Sequence, residues 1–420
     1  MKKTGRMALA VWGLLLCQAL GGCSAREFLT EIPRDYALTG GEAAEEQAGT
    51  QTEEKAGTQA EEKAGTQAER VSFLEEGFWR YAYGTLTEAE AVWYRDIEEI
   101  LGRFGEKERL SGEGLALGLT GEDISRIFQC VMNDHPELFY VDGYSYVTYT
   151  RGNALTGIEF SGNYNVDYGT GLKRRAEIRE AAAEALEGIS RDAPDYEKVR
   201  YVYEWVITST DYNLEAEDNQ NIYSVFINHS SVCQGYAKAA QYLLNSLGVD
   251  CTLVQGTVYT GERHGWNLVR VDGSFYYMDT TWGDASYRME ETEEGRQQGM
   301  PEISYEYLNI TTEELLRTHT LDVQLSVPEC TAVEANYYRR EGALFSEYDR
   351  EQLQALADRA AAQGKNSIAL KCRDEGCYEE MTKALIEGQE IFRYLETDGG
   401  SVAYARNERQ LSLTFWVTNQ

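Results

Sequence analysis

From Val71 onward, apolar side chains recur at spacings that build both helices and strands. Ala89, Val92, Ile97 and Ile100 fall at near-helical intervals within residues 86–101, and residues 122–132 carry a second, shorter helical pattern. Residues 138–141, 144–150 and 155–160 are aromatic and aliphatic runs of strand length. Together these predict a small α/β layer ending near Asp167. Two helices follow. Residues 172–188 are rich in Ala, Glu and Arg, while residues 195–209 start just after Pro194 and align Val199, Val202, Tyr203 and Val206 on one face. Ser230 and Ser231 offer cap oxygens for a helix over residues 232–247, stopped by Gly248, with Tyr236, Ala240, Leu243, Leu244 and Leu247 on its apolar side. Strands over 252–259, 265–271 and 274–278 complete a helix-then-sheet block. The tail repeats the mixture, with helices over 350–362 and 378–387 and strands over 367–371, 402–406 and 411–417. The pattern is that of an α+β protein.

The first seventy residues follow a different logic. Lys2, Lys3 and Arg6 precede an apolar run over residues 7–16, which reads as a secretory signal. That run is shorter than the roughly 20 apolar residues needed to span a bilayer. Leu20, Gly21, Gly22 and Cys23 resemble the lipobox of bacterial lipoproteins, which implies a lipid on Cys23 and a membrane anchor on the outer face of the cell. Residues 45–52, 53–60 and 61–68 are three near-copies of one acidic octapeptide without a large apolar residue. Such a unit cannot bury enough surface to offset its ordering entropy. Read as a coil, residues 23–70 form a tether with a reach of roughly 40 Å. The expected organisation is a signal over 1–22, a tether over 23–70, an α/β region over 71–167, a core block over 168–290 and a C-terminal α/β region over 291–420.

Composition narrows the function. Acidic residues outnumber Lys and Arg by 70 to 39, giving a net charge of −31, so nothing would neutralise nucleic-acid phosphates. His135, His229, His264 and His319 are widely scattered, and no metal centre is expected. Residues 112–118 are glycine-rich but lack a phosphate-binding Lys and a preceding strand, so they read as a loop, and no cofactor is called for. Eight cysteines are too few for a disulfide scaffold. Cys130 and Cys251 fall at core positions, and Cys372 and Cys377 are either a local disulfide or two free thiols.

One cysteine stands apart. Cys233 falls in the first turn of the 232–247 helix, where unpaired amides and the positive end of the macrodipole favour thiolate and could hold an oxyanion. Taken alone, a cysteine heading a mostly apolar helix is more often a core thiol. The hairpin downstream adds chemistry. Asp272 and Gly273 between two apolar runs signal a two-residue turn that sets Val271 opposite Ser274. In that register His264 and Asp279 are diagonal neighbours on one face, within side-chain reach.

These residues resemble a family. Val232-Cys233-Gln234-Gly235-Tyr236-Ala237, His264-Gly265-Trp266-Asn267 and Asp279-Thr280-Thr281-Trp282-Gly283-Asp284 are similar to the three motifs of bacterial transglutaminase-like domains, in the papain-like superfamily. The resemblance covers roughly residues 172–284, and Gly265 replaces the more usual Ala. It implies Cys233 as nucleophile, His264 as its proton partner and Asp279 as the residue that holds the imidazole. Trp266 and Trp282 flank the expected site, where they either wall a substrate cleft or pack in the core, with Gln234 beside the nucleophile and Tyr223 as a candidate oxyanion donor. The expected activity is acyl transfer on an amide through a thioester, with a protein or peptide as substrate. Hydrolysis is favoured over lysine-directed cross-linking, since no feature marks an amine site. A non-catalytic, lipid-tethered binding module is the remaining alternative. His229 and His319 have no partner visible in the sequence.

Overall fold

The computed structural model describes residues 72–151, 154–285, 299–322, 325–396 and 401–418. The expected signal over 1–22, the tether over 23–70 and Cys23 lie outside the described residues. No described helix is long and apolar enough to cross a membrane. Helices and sheets segregate along the chain, so the architecture is α+β.

The N-terminal layer begins with the helix Glu88–Gly102, entered through a capping box between Thr87 and Glu90. It packs on Ile124–Asp134 and on the long hairpin Val141–Arg151 with Ala154–Tyr164, whose second strand also pairs with Glu108–Arg109. The segment 138–140, expected as a strand, is instead a buried turn that leads into Val141. Residues 112–116 correct a second expectation. They form a short helix, Gly112–Ala116, capped by Ser111, and Gly114 lies so close to Trp93 that a Cβ would overlap the indole.

Beneath this layer sits a buried polar knot. His135 places Nδ1 2.8 Å from Glu137 Oε1 and Nε2 3.1 Å from Glu98 Oε1. Burial alone pushes the imidazole down, but Glu137 and then Glu98 outweigh it and raise its pKa from 6.5 to about 9. Asp134 is raised by burial to about 6, although it accepts from the Ala82 and Tyr83 amides. Both shifts act in one direction. The stabilisation from charged His135 is complete below its unfolded pKa near 6.5 and is lost as pH rises through about 9. Asp134 costs stability as pH rises from its unfolded value of 3.8 through about 6. Melting temperatures taken from pH 6 to 9.5 should therefore fall more steeply for the native chain than for His135→Gln. Parallel slopes would refute the assignment.

The central block stacks helices on an antiparallel sheet. Asp167 caps Tyr168–Ala185, which starts and ends earlier than the expected 172–188, while Asp195–Ser209 starts after Pro194, as the sequence pattern predicts. The helix Cys233–Ser246 is buried nearly all round rather than on one face, because it is wedged between the sheet and the helices Asp195–Ser209 and Ile222–Phe226. Its N-cap is Val232, without a side-chain cap bond. Ser230 and Ser231, expected to supply that cap, instead pair in parallel with Asp211–Tyr212. The sheet runs in the order His319–Leu321, Cys251–Val258, Arg263–Val271, Ser274–Met278 and Leu308–Ile310. Its two outer strands come from beyond residue 290, so chain assigned to the C-terminal region completes the central sheet.

The tail forms a four-stranded sheet in the order Leu344–Phe345, Ser367–Cys372, Ser412–Thr418 and Ser401–Asn407, flanked by the helix Arg350–Ala362. One apolar core runs from Phe73 through the central helices to Val417, joining all three regions. Buried polar contacts pin the tail in place. Lys371 Nζ lies 2.7 Å from Glu314 Oε1, and Glu306 accepts from Asn407 and Ser412.

Candidate active site

The Asp-Gly turn sets the geometry of this site. Asp272 (φ 49°) and Gly273 (φ 83°) are both left-handed, the conformation of a two-residue hairpin turn. Val271 pairs with Ser274, and the ladder continues in the predicted register to Asn267 opposite Met278. Asp279 then leaves the ladder. Its N–H donates to Tyr307 O, and its carboxylate caps the short helix Thr280–Gly283, Oδ1 accepting from the Trp282 N–H at 3.0 Å. The other oxygen, Oδ2, lies 2.8 Å from His264 Nε2.

The strand Arg263–Val271 rests on the start of the Cys233–Ser246 helix. Asn267 Nδ2 donates to Ala237 O at 2.9 Å, and a Cβ at Gly265 would make ordinary contact with Gln234 Cα at 3.8 Å. Cys233 and His264 are thereby brought into hydrogen-bond contact. With Nε2 on Asp279, Nδ1 is the nitrogen left for the sulfur. Asp279 is wholly buried, and Cys233 and His264 are 3% and 7% exposed. The helix start also leaves its first backbone N–H groups without intrahelical partners, beside the sulfur.

Burial lowers the His264 pKa, but the Asp279 charge, the hydrogen bond to it and the Cys233 contact together raise it from 6.5 to about 10. For Asp279 the balance is reversed. Burial would raise the carboxyl, yet the His264 charge and the two imidazole hydrogen bonds hold it well below the usual carboxylate range. Asp279 is thus an ionised, acceptor-only group inside the protein. The other described cysteines are free thiols, Cys372 and Cys377 among them. Burial pushes Cys130 and Cys330 up to about 12 and raises Cys251, Cys372 and Cys377 as well.

His319, without a partner visible in the sequence, is the residue that sequence reasoning missed. Its Nε2 lies 3.2 Å from the same Asp279 Oδ2, and its Nδ1 lies 2.9 Å from Thr318 Oγ1. The ligating atoms of His264, Asp279 and His319 fall within 4.8 Å of one another, a spacing a divalent ion could use. His229 is elsewhere, with Nδ1 3.0 Å from Ser209 O.

The remaining candidates divide. Trp266 is wholly buried, stacked 5.9 Å from the His264 ring and 4.8 Å from His319, so it supports the imidazole from within and does not wall a surface cleft. Trp282 is 7% exposed and flanks His264 at 6.0 Å. The Tyr223 hydroxyl donates to Glu177 at 3.0 Å, which occupies the hydrogen expected to serve an oxyanion. Gln234 is 8% exposed, with its Oε1 accepting from Gln255 at 3.3 Å and its Nε2 left without a partner next to Cys233. A cavity of about 570 Å³ lined by Tyr305, Tyr337, Ile368 and Trp416 touches none of Cys233, His264 or Asp279, so it is not the substrate site of this cluster.

Residues 183–280 match the sequence profile of the transglutaminase-like superfamily. The mouse (Mus musculus) kyphoscoliosis peptidase is 27% identical over 105 residues, 21% of this chain and 16% of its own length. The chain therefore spans about a sixth of that curated relative. Among solved structures, a TGase is 16% identical with a TM-score of 0.26, covering 39% of this chain and 48% of its own. The periplasmic domain of TgpA from Pseudomonas aeruginosa is 16% identical with a TM-score of 0.22, covering 31% of this chain and 55% of its own. The central block is a transglutaminase-like domain, of the superfamily that includes cysteine proteases.

Proposed function

We propose that the protein is a thiol enzyme that cleaves amide bonds in extracellular protein or cell-wall peptide, held at the outer membrane face by a lipid on Cys23. The observation that carries this reading is the placement of His264. Its Nε2 is fixed by ionised Asp279 at 2.8 Å, and its other nitrogen is turned to Cys233 at a helix N-terminus. A positively charged imidazole there stabilises negative charge on the sulfur.

In the first half-reaction the Cys233 sulfur attacks the amide carbonyl, and a C–S bond forms as the C–N bond breaks. His264 Nδ1 gives its proton to the leaving amine. Water then attacks the thioester carbonyl and loses a proton to His264; the C–O bond forms as the C–S bond breaks, the acid departs, and the expelled sulfur is again a thiolate beside the imidazolium. Negative charge on the carbonyl oxygen would meet the unpaired amides at the helix start and the spare N–H of Gln234. Trp282 would border the bound peptide. Retention of Cys, His and Asp in hydrogen-bonding contact supports an enzyme over a binding module, and the curated relative carries the name of a peptidase. The same thioester would serve cross-linking if a lysine amine replaced water.

The test is selective alkylation. A thiol electrophile at neutral pH should modify Cys233 well before Cys130, Cys251, Cys330, Cys372 or Cys377, as read by peptide mass. Equal rates would remove the activated thiol. Incubation with protein and wall-peptide substrates plus a fluorescent primary amine then separates the outcomes, because hydrolysis adds water to the products and cross-linking adds the amine.

A further inference from the structure

We propose that His319 is a positioning residue of this site, fixing the Asp279 carboxylate from the edge strand His319–Leu321 while His264 grips it from the other side. The inference rests on the catalytic reading of Cys233, His264 and Asp279. Three donors converge on the buried carboxylate: Trp282 N–H on Oδ1 at 3.0 Å, and His264 Nε2 and His319 Nε2 on Oδ2 at 2.8 and 3.2 Å. They come from a helix start, a central strand and an edge strand, so the carboxylate can neither rotate nor slide. The imidazole it orients is held with it.

The tautomer of His319 follows from its neighbours. Ionised Asp279 can only accept, so His319 Nε2 carries the hydrogen. Burial, with the His264 charge beside it, holds the His319 pKa below 6.5 against the bonds to Asp279 and the Leu315 carbonyl, so the ring is neutral at neutral pH; with its hydrogen on Nε2, Nδ1 can accept. Thr318 Oγ1 lies 2.9 Å from it and 3.4 Å from the Leu315 carbonyl, so its hydrogen goes to the nearer acceptor, Nδ1. That hydroxyl can in turn accept from Tyr307 OH at 3.1 Å, whose oxygen accepts from Gln410 Nε2 at 3.3 Å. Every link from Gln410 to Asp279 has one donor and one acceptor. The chain ends in the tail, in the turn between Ser401–Asn407 and Ser412–Thr418, which gives the C-terminal region a part in orienting the site. Trp266, Trp282 and Tyr307 box the ring at 4.8, 4.7 and 5.5 Å.

The test uses the mature full-length chain, with kcat and KM on the amide substrate and the alkylation rate of Cys233. His319→Phe fills the space without a donor and should lower kcat roughly 10–100-fold, the range for losing a hydrogen bond to a charged group, with KM little changed. His319→Gln, which can present an N–H near the Nε2 position, should recover most of that loss. Thr318→Val should fall between them, because it releases the tautomer but leaves the ring. Native kcat in His319→Phe, or no recovery in a folded His319→Gln, would overturn the role. If His319→Phe does not fold, Thr318→Val decides, and native kcat there overturns it. A native chain with no Cys233-dependent turnover instead overturns the catalytic reading itself, and the alkylation rates tell the two failures apart.

Discussion

Cys233→Ala is expected to lower turnover by at least about a thousandfold while leaving the melting temperature almost unchanged. Without the sulfur no thioester forms, and oriented water cannot replace a covalent nucleophile. The structural cost is small because the thiol caps nothing. Val232 is the N-cap, and the helix is held by Asn267 on Ala237 O and by the apolar face beneath. Losing one sulfur from a nearly buried position costs about 1 kcal/mol or less where the neighbours can settle. Cys251→Ala is the mirror-image control. That thiol is wholly buried at the start of a central strand, so its loss should lower stability by about 1–2 kcal/mol and leave turnover intact. Steady-state turnover and thermal melts of both variants make the comparison. An active Cys233→Ala would end the thiol-enzyme reading.

The parts legible in the sequence are those fixed by local chemistry. The positive φ angles demanded at Asp272 and Gly273 set a register, and that register brought His264 and Asp279 together without knowledge of the rest of the fold. Helix Asp195–Ser209 was equally local, marked by Pro194 and a clear apolar face. His319 was not legible, for a physical reason. It lies on a three-residue strand, and its partners on Cys251–Val258 are some sixty residues away, joined by backbone pairing that leaves no side-chain pattern. Trp266 stayed open between cleft wall and core, because an indole beside a site can do either, and its full burial against His264 and His319 is set by strands distant in sequence. The glycine-rich 112–116 hid a helix because Gly114 is selected there by the face of Trp93, a distant contact. The C-terminal region gave strands and helices but no sign that Gln410 would reach Tyr307.

Asp279 should be the position where activity and stability fall together. Its two oxygens serve different structures: Oδ1 accepts the Trp282 amide that starts Thr280–Gly283, and Oδ2 accepts from two buried imidazoles. Asp279→Ala removes both acceptor oxygens, and with them all three hydrogen bonds, and leaves His264 and His319 facing each other, 5.5 Å between ring centroids, with no anion between them. Breaking a buried charge pair from one side costs about 3–5 kcal/mol. The His264 pKa, held near 10 chiefly against burial by the Asp279 charge, should fall steeply, so the imidazolium is lost at neutral pH. Asp279→Asn separates the two roles. Its single oxygen can accept from Trp282 or from the imidazoles, but its amide nitrogen cannot accept from either. Retaining the cap, Asn should be less destabilising than Ala, though it still breaks the charge pair, and it should lose roughly a hundredfold or more in kcat, because neither the charge nor the second acceptor remains. Thermal melts, kcat and the ring-proton titration of His264 by NMR read these effects separately. Asp279→Asn with a native His264 titration would show that the carboxylate charge does not set the state of the imidazole, and the proton-transfer scheme would fall with it.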